Sequence, residues 1–403
     1  MLQRNDMTGF LLPLIITLAV QIQASLVVFT PPILAPVAQQ DVGVSAAAVG
    51  LVTALIYVSS VPSALFSGKV IARLGAIRVS QLCVLFASTG MAVMAIPNPW
   101  IIALGALIVG VGYGAVTPAS STVLADKVPG GLRSLMFSIK QTGVPIGGAI
   151  AGALVPFLIL SSGWQHAAVA VALIGVVVII AAQPIQRSVD SQQSHRGTAR
   201  GASLMEPLRL VFSHRRLREL AISSFAFSGM QMCLGSYLVV VLTERALLSV
   251  AVAGGALSVA MVAGIIGRLF WGVLADFGFS ARSVLGLLGL MMAVCAGLIA
   301  FVESSWSMSL IYVLAFLFGA SAIGWNGVYL AEVARIAPPG QAGTATGASL
   351  AMTYSGVVFL PSLFWLVHAL TQSYAPGFML VAVLTFWRGV AFFRRGEPVL
   401  NGP

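Results

Sequence analysis

VSQLCVLFASTGMAVMAIPNPWIIALGALIVGVGYGAVTPASSTVLA, residues 79–125, contains no Asp, Glu, Lys or Arg. One helical crossing of a bilayer takes about 20 apolar residues. This stretch is too long for one crossing and long enough for two. Its middle holds Pro97-Asn98-Pro99. A proline cannot donate to the helical ladder, and it biases the residue before it toward extended backbone. The stretch reads as two membrane spans joined by a tight turn. Two other uncharged runs have the same construction: 141–186, broken at Ser161-Ser162-Gly163, and 336–387, broken at Thr371-Gln372-Ser373. Six shorter runs, 7–40, 42–68, 220–243, 246–267, 283–302 and 304–331, hold one span each, which brings the number to twelve.

The composition agrees. Apolar residues make up 59% of the 403 and charged residues only 8%. A soluble domain carries roughly 25% charged residues, so lipid must cover most of this chain. If residue 1 lies on the cytoplasmic side, only Arg245 among the 21 Lys and Arg residues falls on the outer side. That asymmetry is the positive-inside rule, and it puts both termini in the cytoplasm of a bacterial inner-membrane protein. The net charge of +10 then needs no nucleic acid to explain it, because topology and anionic lipid headgroups account for it. Cys83, Cys233 and Cys295 lie far apart in apolar helices, so neither a disulfide framework nor a metal site is expected. The first span has few basic residues before it and no obvious cleavage site after it, and is read as retained.

The one long polar segment, residues 186–218, separates an N-terminal bundle of six helices (1–185) from a C-terminal one (219–403). It reads as a cytoplasmic tether with a surface helix near Leu204–Phe212, or as a regulatory or lipid-binding loop. The halves look like copies. Gly68 and Arg78 are as far apart as Gly272 and Arg282, and Leu124-Ala125-Asp126 is echoed by Leu330-Ala331-Glu332. Internal repeats of this kind mark transporter folds. In the fifth span, Gly143, Gly147, Gly148 and Gly152 form a small-residue stripe suited to close helix packing or to sliding.

Between spans two and three the chain reads Gly68-Lys69-Val70-Ile71-Ala72-Arg73-Leu74-Gly75-Ala76-Ile77-Arg78. This resembles the signature loop of the major facilitator superfamily, which has a glycine, four residues, an Asp-Arg pair, a further glycine and basic residues. The second half echoes it with Arg268, Gly272, Asp276 and Arg282. Ala72 stands where the family has Asp, so the latch the resemblance implies falls to Asp276, or to Asp126 with Arg73. Lys140-Gln141-Thr142-Gly143-Val144-Pro145-Ile146-Gly147-Gly148 is similar to a fifth-span motif of many exporters, with a spacing one residue too short to imply export. The resemblance implies an all-α fold of two pseudo-symmetric six-helix bundles, working by alternating access as a monomer. It also implies a central cavity lined by spans one, four, seven and ten.

Those spans offer Gln21 and Ser25; Tyr113 and Thr117; Ser228 and Gln231; and Ser321, Trp325, Asn326 and Tyr329. Residues three or four apart share a helix face. Each serine has a plainer role in bonding to its own backbone, and each aromatic in packing. Lys140 is the one charge well inside a span. It snorkels to the surface, pairs with Asp126, or binds an anionic substrate. No Asp or Glu lies mid-span, and His166 and His368 fall near the outer surface, so a buried proton relay is not evident. Such a cavity disfavours organic cations and favours small organic anions or neutral solutes, moved by facilitated diffusion, exchange or symport with a proton. No nucleophile–base constellation, phosphate loop, cofactor motif or metal-ligand spacing appears, so the reading is not an enzyme, with no catalytic residues. The other readings that stand are a multidrug or metabolite exporter of the same fold and a membrane sensor without flux.

Overall fold

In a computed structural model the chain is described over residues 4–127, 139–190, 209, 211–276, 279–338 and 342–394, apart from certain side chains, among them those of Lys69, Ala72, Asp126 and Asp276. Among the described residues all regular structure is helical. The first half holds α1 (Arg4–Val42), a 3-10 turn (Ala46–Ala48), α2 (Val49–Leu74), α3 (Ala76–Val93), α4 (Pro99–Gly114), α5 (Val116–Lys127), α6 (Gly143–Ser162) and α7 (Trp164–Asp190). The second holds α8 (Arg215–Glu244), α9 (Val250–Asp276), α10 (Ala281–Ala300), α11 (Met308–Ala322), α12 (Asn326–Ile336), α13 (Ala342–Thr371) and α14 (Ala375–Arg394). Twelve segments among them are long and apolar enough to cross a membrane.

The three long uncharged runs divide at the anticipated places, each for a local reason. Asn98 caps α4, accepting from the backbone N–H groups of Trp100 at 3.0 Å and Ile101 at 3.3 Å, with Pro99 just inside the helix. Gly163 ends α6 at φ 85° and donates its N–H to Ile159 O. Gln372 turns the chain at φ 53° after α13. The polar segment 186–218 starts later than its composition suggests, because α7 runs on to Asp190. Most of the expected surface helix near Leu204–Phe212 lies outside the described residues.

Two spans carry an interruption that hydropathy did not signal. The fourth is split into α4 and α5 at Ala115. Pro118 has no N–H with which to close the Gly114 carbonyl, so the ladder breaks there. The tenth is split into α11 and α12. There Trp271 Nε1 donates to Ala320 O at 2.9 Å and Arg268 Nε to Ile323 O at 3.2 Å, so α9 side chains satisfy carbonyls the helix gives up. At the corresponding pair in the first half, Ser60 and Ser63 of α2 donate to Gly110 O and Val111 O of α4.

The described residues gather into two compact units, one within Met1–Gly201 and Leu248–Ser258, the other within Ala202–Leu247 and Val259–Pro403. The first turns of α9 thus belong with the first unit. Ser258 Oγ donates to Ala149 O at 2.7 Å, and a Cβ on Gly254 would press on Gly152 O. In the first unit α1 packs on α6, α2 on α4, and α3 on α4 and α7. Its core runs through Val20, Ala24, Ile77, Val84, Ala119 and Ala182. In the second, α8 packs on α13 and α10 on α14, the equivalents of α1 with α6 and α3 with α7. Each unit ties its first and last spans at the ends away from the central loop. Trp164 Nε1 donates to Asp41 Oδ2 at 2.6 Å, and Tyr374 Oη to Glu244 Oε2 at 2.6 Å. Burial first, then Glu244, raises the Tyr374 phenol above its ordinary value, so it remains a donor.

Candidate functional site

In the first unit Lys140 lies one turn before α6 with two polar partners, Thr117 and Gln141. The side chain is 1% exposed, yet Nζ donates to Thr117 Oγ1 at 3.3 Å and to Gln141 Oε1 at 3.1 Å, both residues themselves exposed. The ammonium therefore lies one side chain deep and does not snorkel among the described residues. No described carboxylate lies within ion-pair distance of it. The anticipated pairing with Asp126 involves a side chain outside the described set. Gln21 and Ser25 of α1 are fully buried, and Gln21 Nε2 donates to Ser25 Oγ at 3.3 Å. Tyr113 stands edge-on to Tyr57, ring centroids 5.6 Å apart.

In the second unit, Gln231 Oε1 accepts from Trp325 Nε1 and from Asn326 Nδ2, each at 3.2 Å. An indole nitrogen only donates, so it fixes the amide with its oxygen toward Trp325. That leaves the Gln231 NH2 and the Asn326 carbonyl, on two half-buried side chains, without a hydrogen bond among the described residues. Behind them Trp325 packs edge-on against Phe227 and Tyr329 at 5.7 and 5.1 Å. Tyr329 is 1% exposed, its hydroxyl among Ser224, Ser349 and Thr353 without a full hydrogen bond to any. The break between α11 and α12 presents Trp325 and Asn326 side by side toward α8.

The serines do plainer work. Ser228 Oγ donates to Thr353 O at 2.7 Å, joining α8 to α13, and Ser321 bonds to carbonyls of its own helix.

The signature loop is held by a contact that the motif does not announce. Gly75 sits at φ 88°, and a Cβ on it would strike the Asp190 side chain. Asp190 accepts from the N–H groups of Ile77 at 2.9 Å and Arg78 at 3.1 Å, capping α3 from the far end of α7, with Gln186 as a further donor. Asp190 is a residue the sequence reading assigned to the tether. No local signal marks it, because its partner lies 113 positions away. Arg73 and Arg78 are exposed. The second copy departs further. Gly272 lies inside α9 with nothing within 4 Å of a would-be Cβ, so close packing does not require it. Arg268 serves the broken tenth span. Arg282 pairs with Glu219 at 3.6 Å and lies over the Phe392 ring. Glu332 is held by Arg335 at 2.7 Å in its own helix. The latch assigned to Asp126 and Asp276, and the environment of Gly68, lie outside the described side chains.

A cavity of about 490 Å³ lies elsewhere in the first unit, where α1, α2 and α4 meet near Pro31, Leu34, Val52, Met94 and Trp100. Its walls are mostly apolar, with Gln39 and Ser45 among the residues that line it. Among the described residues no cluster of three His, Cys, Asp or Glu is placed to hold a metal.

The structure is similar to known carriers. A mutant of the nucleoside transporter NupG superposes with a TM-score of 0.80 at 14% identity, over 95% of this chain and 99% of that one. A bacterial homologue of the human lysosomal transporter Spinster gives 0.70 at 17%, over 98% and 100%. Among characterised sequences, the gallate transporter of Pseudomonas putida is 33% identical over 147 residues, 36% of this chain and 33% of that protein. The gentisate transporter of Corynebacterium glutamicum is 29% identical over 150 residues, 36% and 33% respectively. The hexuronate transporter of Bacillus subtilis matches 74% of this chain and 73% of its own at 19% identity. The chain spans about a third of the length of the first two. The family model described as Major Facilitator Superfamily matches residues 14–361. With twelve apolar spans and this fold, the chain belongs to the Major Facilitator Superfamily.

Proposed function

We propose that the chain carries small organic carboxylates across the bacterial inner membrane by alternating access, with Lys140 as the group that meets the anion. The observation that carries this reading is a buried ammonium whose described partners, Thr117 and Gln141, are neutral. Removing an ammonium from water costs several kcal/mol, and a methionine would fill the same space without that cost. A charge kept at such a place is functional by default. The names of the relatives support it. Gallate, gentisate and, for a protein of Acinetobacter baylyi 29% identical over 133 residues, 4-hydroxybenzoate are all carboxylates.

Gln21, Tyr113, Thr117, Gln231, Trp325, Asn326 and Tyr329 are the further candidates for lining the path. The mid-span regions offer no carboxylate to relay a proton, so the anion itself is the species moved, by facilitated diffusion, exchange or symport. The Lys and Arg distribution supports cytoplasmic termini and a central loop between the six-helix halves on the same side. The chain acts alone.

The test is counterflow of labelled 4-hydroxybenzoate, gentisate and gallate in proteoliposomes. Wild type exchanges at least one, Lys140→Ala none with normal amounts in the membrane, and Lys140→Arg keeps part. Full exchange by Lys140→Ala would remove the anion-binding role. A flat wild-type trace with every acid would favour a sensor without flux.

A further inference from the structure

Gln21 is a fully buried amide with an edge that no described residue satisfies. Its side chain is 1% exposed, its one hydrogen bond runs from Nε2 to Ser25 Oγ at 3.3 Å, and its Oε1 is buried without a partner. Buried polar atoms are matched in the great majority of cases. An orphan amide packed on the span of a candidate binding group, one turn from it, points to a ligand atom as its partner.

The neighbourhood is that of Lys140. The stem of Gln21 lies against Gly143, where a Cβ would come within 2.9 Å of both Gln21 Cβ and Cγ. Lys140 precedes Gly143 by three residues on the same span, hence on the same face. Gly147, one turn further, is pressed on Ser25. The bare glycine surface brings the stem of Gln21 against the span that carries Lys140, one turn from it. An ammonium has three N–H donors, and two of them go to Thr117 and Gln141. The third is available to a carboxylate, while the Gln21 amide reads something else on the same molecule.

The chemistry of that second group follows from the amide. Ser25 Oγ both donates and accepts, so its bond to Gln21 survives exchange of the amide oxygen and nitrogen, leaving either a carbonyl or an NH2 unmatched. A hydroxyl, which donates and accepts, matches both. A hydrogen, methyl or halogen matches neither. We propose that Gln21 reads a hydroxyl of the carried acid, making the chain selective for hydroxy acids over the same acids without the hydroxyl. This rests on the reading of Lys140 as the carboxylate partner.

The experiment compares 4-hydroxybenzoate with benzoate, which differ by that hydroxyl alone, in equilibrium binding to the purified full-length protein. One neutral hydrogen bond is worth about tenfold in affinity. Wild type should hold 4-hydroxybenzoate about tenfold tighter than benzoate. In Gln21→Leu the ratio should collapse to within about threefold, and Lys140→Ala should lose both acids. If Gln21→Leu fails to accumulate in the membrane, Gln21→Met keeps the stem length and is read the same way. A wild type that binds both acids equally, or a Gln21 variant that keeps the tenfold ratio, overturns the hydroxyl assignment and leaves the carboxylate reading standing. A wild type that binds neither acid overturns both.

Discussion

The Gln231 carboxamide is oriented by a partner that cannot be reversed. The Trp325 indole N–H only donates, so the amide oxygen must face it, and Asn326 shares that oxygen. Two consequences separate packing from polarity. Trp325→Phe keeps the edge-on contacts with Phe227 and Tyr329 but removes the lock, so the protein should accumulate normally with a KM for the carried acid about three- to tenfold higher, as expected for one lost hydrogen bond. Trp325→Ala should lower the amount of folded protein, since removing a fully buried tryptophan costs about 3–5 kcal/mol. Lys140 answers to charge. Lys140→Met should accumulate as well as wild type or better, because burying the ammonium is costly, and should show no uptake of labelled acid. Retained uptake by Lys140→Met would place the anion elsewhere.

At the scale of helices, the informative features are ends and breaks. Asp190 closes the N-terminus of α3 from the end of α7, and Gly75 makes room for it. An N-cap of this kind is worth about 1 kcal/mol, and a charge near a helix N-terminus adds about 0.3–1 kcal/mol. Asp190→Ala should therefore lower the temperature at which the detergent-solubilised protein leaves the monodisperse peak by a few degrees, and Asp190→Asn by less. Gly75→Ala should cost at least as much as Asp190→Ala, since it both strains a positive φ and strikes the carboxylate. In the double variant the two effects should add less than fully, because the clash is one shared contact while the strain at positive φ remains. A fully additive double variant would show that Gly75 and Asp190 stabilise separate things. The broken fourth and tenth spans belong to this scale too. In each, a neighbouring helix supplies donors to the carbonyls of the split span, serines in one half and Arg268 with Trp271 in the other. The repeat keeps the architecture and changes the chemistry that supports it.

For the whole molecule, topology is the decisive quantity. The native cysteines are buried and free, so they give little background to an impermeant maleimide. A single cysteine at Ser304, in the exposed turn between α10 and α11, should label in intact cells. One at Ser194, in the polar segment between the halves, should label only after the membrane is opened. The reverse pattern would invert the orientation and with it the direction in which Lys140 is reached. Each unit also binds its first and last spans by an acid and an aromatic donor, Asp41 with Trp164 and Glu244 with Tyr374. This second mark of the duplication lies in residue types that do not match by eye.

The number of crossings, the places where the long uncharged runs turn, the twofold arrangement and the presence of a charge within the fifth span were readable from the chain alone; that this charge is buried was not. They depend on quantities that add along the sequence: apolar length against bilayer thickness, the missing N–H of Pro99, the sidedness of Lys and Arg. Gln21, Gln231, Trp325 and Asn326 were likewise marked as polar groups that lipid would not tolerate. What they do was decided by the tertiary structure, because it depends on which faces meet across long separations. Nothing near Ile77 announces that Asp190 caps it, and nothing in the fifth span says that Gly143 backs Gln21. The tenth span's break was equally hidden, since Trp271 and Arg268 on another helix satisfy its carbonyls. Hydrogen-bond partners in a membrane protein are set by packing at the few places where small residues let helices approach, and that packing is not a property of any one segment.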